Sequence, residues 1–302
     1  MTIDTTTQGL VVPVPDSADL AIRVRGLRRA YGDTHACDGI DLDVVRGEVL
    51  ALLGPNGAGK TTTTEILEGY RHRDAGEVSV LGHDPAHATA LWRSRLGIVL
   101  QHANDLGDLT VRESVAHFAG YYPAPRDVDD VIESVGLTEK ARTRGANLSG
   151  GQRRRLDVAL GIIGRPEILF LDEPTTGFDP EARRDFWGLI AGLRREGTTI
   201  LLTTHYLDEA EALADRVAVI SRGRVIACDV PSRLGGRDDS VATVAWREDG
   251  EDRAERTHEP AALIGRLSQR FGGEVPGLTV HRPSLEDIYL SLTGSRTLED
   301  PS

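Results

Sequence analysis

The sequence predicts an α/β fold: a parallel sheet covered by helices on both faces, followed by a small α+β domain. Three observations point there. Strand-like and helix-like patterns alternate from about residue 20 to 230. Several strands are short runs that are apolar without interruption, Val49 to Leu53, Ile168 to Leu171 and Thr199 to Leu202, as expected of strands buried on both faces. The composition then shifts near Leu234-Gly235-Gly236-Arg237-Asp238-Asp239, a plausible boundary. The 302 residues fit about two domains at roughly 150 residues each.

Taken in order, residues 1–20 read as a flexible leader, rich in Thr, Pro and Asp. Residues 21–234 form the main domain. Within it a stretch from about 103 to 163 lacks strand signals and reads as a helical subdomain, interrupted by Tyr121-Tyr122-Pro123-Ala124-Pro125. Arg216 to Asp229 reads as a β-hairpin turning at Ser221-Arg222-Gly223-Arg224. Residues 235–302 form the small accessory domain. It holds the strand-like SVATVAW, a helix near Pro260 to Phe271, the strand-like GLTVHR, and a last helix announced by the capping-box pattern Ser284-Leu285-Glu286-Asp287. Leu285, Ile288, Tyr289 and Leu292 fall at helical spacing; they are expected to pack the accessory domain's own core, with a role in pairing two subunits as the alternative. No internal repeat or coiled-coil heptad is visible.

Composition narrows the function classes. Lys plus Arg is 35 against 47 for Asp plus Glu, a net charge of −12, which argues against a nucleic-acid partner. Cys37 and Cys228 are the only cysteines, so no disulfide framework is expected. No apolar run reaches the roughly 18–20 residues of a membrane span, and the N-terminus lacks a basic n-region. A cytoplasmic protein is expected, with any membrane spanning left to another chain.

Gly54-Pro55-Asn56-Gly57-Ala58-Gly59-Lys60-Thr61 fits G-x-x-x-x-G-K-[ST], the P-loop. It follows the apolar strand VLALL and precedes a helix starting near Lys60. Glycines let backbone N–H groups turn toward phosphate, and the helix N-terminus adds partial positive charge. Lys60 supplies a mobile charge to the β- and γ-phosphates, and Thr61 a hydroxyl to Mg²⁺. The alternative is a chance Gly-rich turn. Lys60 and Lys140 are the only lysines beside 33 arginines, so a lysine at this position points to a need for the compact ammonium. The fold class thus sharpens to a P-loop NTPase.

Glu167 to Glu173, EILFLDE, is an apolar strand ending in two acids. Strand ends at the carboxyl edge of an open α/β sheet are where ligands bind. Asp172 suits a Mg²⁺ sphere, and Glu173 is left to orient and deprotonate an attacking water. A solvated acidic turn is the alternative.

Further residues resemble one family. Leu148-Ser149-Gly150-Gly151-Gln152 resembles the signature motif of ABC ATPases. Gln101 resembles the Q-loop glutamine, Gly177-Phe178-Asp179 the D-loop, His205 the H-loop histidine and Tyr31 the A-loop aromatic. Phe178 stands where Leu is more usual. The order is the family's, and the match runs over roughly residues 21 to 233. The resemblance implies that Gly54 to Thr62, with Thr62 included, hold the nucleotide, that Tyr31 stacks on adenine, and that Thr61, Gln101 and Asp172 serve Mg²⁺. Glu173, His205 and Gln101 would be the catalytic set. Ser149, Gly150, Gly151, Gln152 and Asp179 would reach the nucleotide of a second copy, since Ser149 opens a helix and makes an anion site. One cassette per chain then implies a homodimer holding two ATP.

Lys60 and Ser149 are 149 − 60 = 89 residues apart, with no coiled-coil or zinc insert of the DNA-repair relatives. Arg282 to Thr293, RPSLEDIYLSLT, resembles the tail of ATPases of the daunorubicin/doxorubicin-resistance group. The resemblance implies an exporter of a drug or other lipophilic compound, working through a separate integral membrane permease and peripheral on the cytoplasmic face. A non-transport ABC ATPase, clamping a macromolecule or regulating translation, is the second hypothesis.

Overall fold

The computed structural model describes residues 19–100, 107–237 and 241–294. Its centre is a six-stranded sheet in the order β5 (Leu96–Val99), β6 (Ile168–Asp172), β7 (Thr199–Thr203), β3 (Val49–Leu53), β8 (Arg216–Ser221), β9 (Arg224–Asp229). The first five are parallel. The last is the antiparallel partner of β8, joined through Arg222 and Gly223, both at positive φ. Two such residues are what a tight hairpin turn demands, and the expected turn is where the sequence puts it.

The uninterrupted apolar runs divide between two cores. Along β3, Val49, Ala51 and Leu53 enter one core while Leu50 and Leu52 enter the other. On β6, Leu169 and Leu171 part from Ile168 and Phe170 in the same way. A period of two with both faces buried accounts for the pattern.

One face is covered by helices: α3 (Val111–Ala119), α4 (Val128–Ser134), α5 (Gly150–Ile162) and α6 (Pro180–Arg195) supply much of that core. The other face differs from the expectation of helices on both sides. A three-stranded antiparallel sheet lies over it, in the order β2 (Thr34–Val45), β1 (Leu20–Tyr31), β4 (Ala75–Val80), together with α1 (Lys60–Leu67) and the single turn α2 (Ala90–Arg93), whose Trp92 is buried there. Ile22, Val24, Ile40, Leu42 and Val44 alternate inward from its two long strands. Leu20 already belongs to β1, so the strand begins inside the span expected as leader; residues 1–18 lie outside the described residues.

The C-terminal part is a sheet of β10 (Ala242–Glu248) between β11 (Glu251–Thr257) and β12 (Thr279–His281). Helix α8 (Pro260–Phe271) closes a small core of Val244, Trp246, Leu263, Leu267 and Val275. The last helix, α9 (Leu285–Thr293), corrects an expectation. It packs on α7 (Leu207–Leu213) and on the turn at Leu234–Gly236, not in the tail's core. Leu285 is buried in the main core, with Tyr289 and Leu292 against it. The small sheet has one apolar face, and α8 already covers it; β11 is charged and exposed. The apolar stripe of α9 therefore finds its partner on the main domain. No helix among the described residues is long and apolar enough to cross a membrane.

Candidate functional site

The phosphate loop joins a fully buried strand to a helix whose first residue, Lys60, is buried. Strand β3 ends at Leu53, and α1 opens after Gly59. Gly59 has φ 109°, and a Cβ there would lie 2.1 Å from the Ala36 carbonyl oxygen. Only glycine meets both conditions. The β8–β9 hairpin braces the loop from behind: Gly223 N–H donates to the Ala58 carbonyl at 3.0 Å. The first turn of α1 holds no acid, leaving its positive end uncompensated. Lys60 is 8% exposed, and its Nζ donates to the carbonyls of Gly54 at 2.6 Å and Pro55 at 3.2 Å. Burial pushes its ammonium pKa down, while the charges of Glu173 and Asp172 pull it up.

Two neighbouring strand ends supply the acids and the imidazole. Asp172 closes β6 and accepts a hydrogen bond from the Thr203 hydroxyl at the end of β7. Glu173 follows with φ 45°, a left-handed conformation that costs a non-glycine residue of order 1 kcal/mol. Its N–H donates to the Thr203 carbonyl at 3.0 Å and hydroxyl at 3.2 Å. Its carboxylate lies 3.2 Å from His205 Nδ1 and accepts from the Thr176 hydroxyl at 3.4 Å.

These groups share one cavity of about 800 Å³. Of the residues expected from the sequence, Tyr31, Gly54, Pro55, Asn56, Gly57, Gly59, Lys60, Thr61, Thr62, Asp172, Glu173 and His205 form its wall. Ala58 belongs to the same loop, but its side chain is buried in the core under the second sheet. Thr61 and Asp172 offer the hard oxygen donors that suit Mg²⁺. A hydroxyl and one carboxylate would hold the ion alongside oxygens of the nucleotide, the kind of mixed oxygen set it usually takes.

The signature residues lie elsewhere. Ser149 and Gly150 are exposed, and neither they nor Gly151 and Gln152 belong to the cavity wall. Ser149 caps α5: its hydroxyl accepts from Gln152 N–H at 3.3 Å, and Gln152 Oε1 accepts from Ser149 N–H at 3.1 Å. Asp179 is likewise an exposed cap, on α6, accepting from the N–H groups of Glu181 and Ala182. Gln101 lies outside the described residues.

Sequence reasoning missed three contributors. The guanidinium groups of Arg29 and Arg71 sit 4.9 and 5.5 Å from the Tyr31 ring centroid, a cation–π arrangement that joins β1 to the segment after α1. Tyr289, from the far end of the chain, also borders the cavity. Its helical spacing was visible, but not the surface on which the helix would lie.

The ABC transporter family profile matches residues 37–176. The daunorubicin resistance ATP-binding protein DrrA3 of Streptomyces coeruleorubidus is 40% identical, over 92% of this chain and 97% of its own length. The Nod factor export ATP-binding protein I of Burkholderia orbicola is 39% identical, over 92% of this chain and 98% of its own. Among solved structures, cbiO1 from Clostridium perfringens, part of the ABC transporter complex cbiONQ, superposes with a TM-score of 0.65 at 31% identity, covering 71% of this chain and 90% of that one. An ATP binding subunit of an ABC transporter shares the fold over 90% of this chain and 99% of its own, with a TM-score of 0.68 at 22% identity. A P-loop, paired strand-end acids and a capped serine-glycine helix start, in a chain this close to those relatives, lead to one assignment: the protein belongs to the ABC transporter family as an ATP-binding, ATP-hydrolysing subunit homologous to drug-resistance and Nod factor export ATP-binding proteins.

Proposed function

We propose that two copies of this chain close head to tail on two ATP molecules and drive export of a drug or other lipophilic compound through a separate membrane permease. The observation that carries this reading is the split of the site. Lys60, Asp172, Glu173 and His205 border one cavity, whereas Ser149 and Gly150 are presented outward. A half-site of this kind is completed by a second copy. A solved relative described as the dimeric structure of MJ0796 has the same fold, with a TM-score of 0.61, which supports the pairing. Residues 21–234 are the ATP-binding domain in this reading and 235–302 the accessory domain.

The roles follow from chemistry. Tyr31, with Arg29 and Arg71 against its ring, offers a face for adenine. The loop from Gly54 to Thr62 wraps the phosphates, and Lys60 moves from its own carbonyls to the β- and γ-phosphates. Thr61, Asp172 and Gln101 would hold Mg²⁺, which would supply positive charge against the phosphate oxygens. Glu173 orients water and takes its proton, and His205 holds that carboxylate and the γ-phosphate together. Ser149, Gly150, Gly151 and Gln152, with Asp179, close over the partner's nucleotide. The names of the relatives, one a drug-resistance protein and one a Nod factor exporter, support the cargo class. Export also places the protein on the cytoplasmic face of the membrane.

Glu173→Gln tests the assignment. ATP binding is expected to persist while hydrolysis falls by roughly 10²–10⁴-fold, the usual loss when a general base is removed. A dimer should then survive size exclusion in ATP. Wild-type turnover would remove Glu173 from the mechanism, and copurification with ribosomes instead of a membrane protein would overturn the transport half.

A further inference from the structure

Arg154 is the sixth residue of the signature segment counted from Ser149, and its side chain runs inward from α5. It is 7% exposed. Its guanidinium spends its donors on backbone carbonyls of two strand ends. Nε donates to Pro174 at 3.1 Å, one terminal nitrogen to Asp172 at 2.5 Å, and the other to Leu100. Asp172 and Pro174 flank Glu173, and Leu100 precedes Gln101.

That placement coincides with the strained residue of the site. Glu173 stands at φ 45°, and such a conformation persists only where its surroundings over-determine it. Thr203 holds its N–H from one side. Arg154 holds the carbonyls before and after it from the other. A guanidinium fork fixes several acceptors in one set plane, whereas a lysine ammonium is a compact point charge on a flexible stem. Arg154 lies on the same helix whose first turn carries Ser149.

We propose that Arg154 is a positioning residue for hydrolysis: it locks the backbone on either side of Glu173 and so ties the geometry of one ATP site to the helix whose tip closes on the other. The inference rests on the reading of Glu173 as the base. Movement of α5 toward a partner's nucleotide is transmitted through Arg154 to the carboxylate that aligns water in its own site. The link to Leu100 extends the same control to the end of β5.

The test uses full-length Arg154→Lys and Arg154→Gln beside Glu173→Gln, read by steady-state ATPase activity and by equilibrium binding of a fluorescent ATP analogue. A misplaced base costs on the order of tenfold to a hundredfold. Both Arg154 variants should lose about that in kcat while analogue Kd stays within about threefold. Hydrogen exchange should rise in peptides spanning 172–178 and leave those of 54–66 unchanged. In the double variant Arg154→Lys/Glu173→Gln, the residual rate should equal that of Glu173→Gln alone, because Arg154 acts through that carboxylate. Wild-type kcat in both Arg154 variants, or losses that multiply in the double variant, would overturn the proposal and leave the base assignment standing. Wild-type turnover in Glu173→Gln would instead overturn the base assignment. An ATP-loaded structure of Glu173→Gln, with Arg154 untouched, gives a reading independent of the folding of any Arg154 variant: the guanidinium on the carbonyls of 172 and 174 supports the proposal, and a guanidinium turned away from them contradicts it.

Discussion

The P-loop cavity and the tip of α5 are both built at helix starts, yet the chain treats them in opposite ways. At the P-loop, Gly59 offers no side-chain cap to α1, and Lys60 turns back onto its own loop carbonyls. At the α5 tip, Ser149 and Gln152 cap each other reciprocally. The first is recessed among strand ends from four parts of the chain, and the second is exposed at the surface. A helix start whose free N–H groups are enclosed can bind phosphate within one chain. A helix start that is capped and presented outward needs a second surface to become part of a site.

The largest effect that sharpens this contrast comes from Lys60→Ala. It should weaken ATP binding by more than about a hundredfold, since a charge-assisted contact is lost in a buried setting. Equilibrium dialysis of the isolated chain reads it directly, and affinity near wild type would mean the cavity binds nucleotide by other groups. Ser149→Arg strikes the outward tip. ATP affinity of the monomer should stay within about threefold while turnover falls on the order of tenfold or more, as expected of a group used only in the closed pair. Equal loss of binding and turnover would break the distinction between the two regions.

The smallest effect concerns buried acids, one behind each region. Glu68, at the end of α1, is pushed up to about 7 by burial first and then by the charges of Asp172 and Glu65. Asp157, on α5, is pushed up to about 6 by burial, with Arg154 and Arg153 opposing. A folded chain that keeps protons the unfolded chain releases loses stability as pH rises. For Glu68 the loss runs from about pH 4.5 to pH 7 and is complete above it; for Asp157 it runs from about pH 4 to pH 6. Glu68→Gln should therefore stabilise the fold by about 3 kcal/mol at pH 8 and by almost nothing at pH 4. Asp157→Asn should give a smaller gain of the same sign. Denaturant melts at the two pH values measure both, and a gain at pH 4 would reverse the sign argued here.

Most of the cavity was legible in the sequence because its parts are local. The P-loop, the acids that end EILFLDE and the histidine after TILLTT each sit at the end of a buried strand, and parallel pairing brings strand ends together without further information. Turn chemistry was also readable at Arg222-Gly223, and the capping box at Ser284 and Asp287 forms as the pattern implies. What the sequence hid was tertiary. Strand β11, EDRAERT, has no apolar alternation to announce it, although Asp249-Gly250 before it takes the two positive-φ positions of a tight hairpin. The sheet of β1, β2 and β4 was obscured because its strands pair across turns and long separations. The destination of α9 depended on which apolar surface remained uncovered. In the sequence Arg154 looks no different from Arg153 and Arg155, and only the fold distinguishes an arginine that bonds three carbonyls.

In the proposed pair, each ATP is held between the P-loop of one copy and the Ser149 tip of another. The most direct measurement is a structure of Glu173→Gln with ATP bound. The Ser149 hydroxyl of one copy is expected within about 3 Å of a γ-phosphate oxygen held by Lys60 of the other. A nucleotide-loaded assembly in which no Ser149 approaches any phosphate would contradict it.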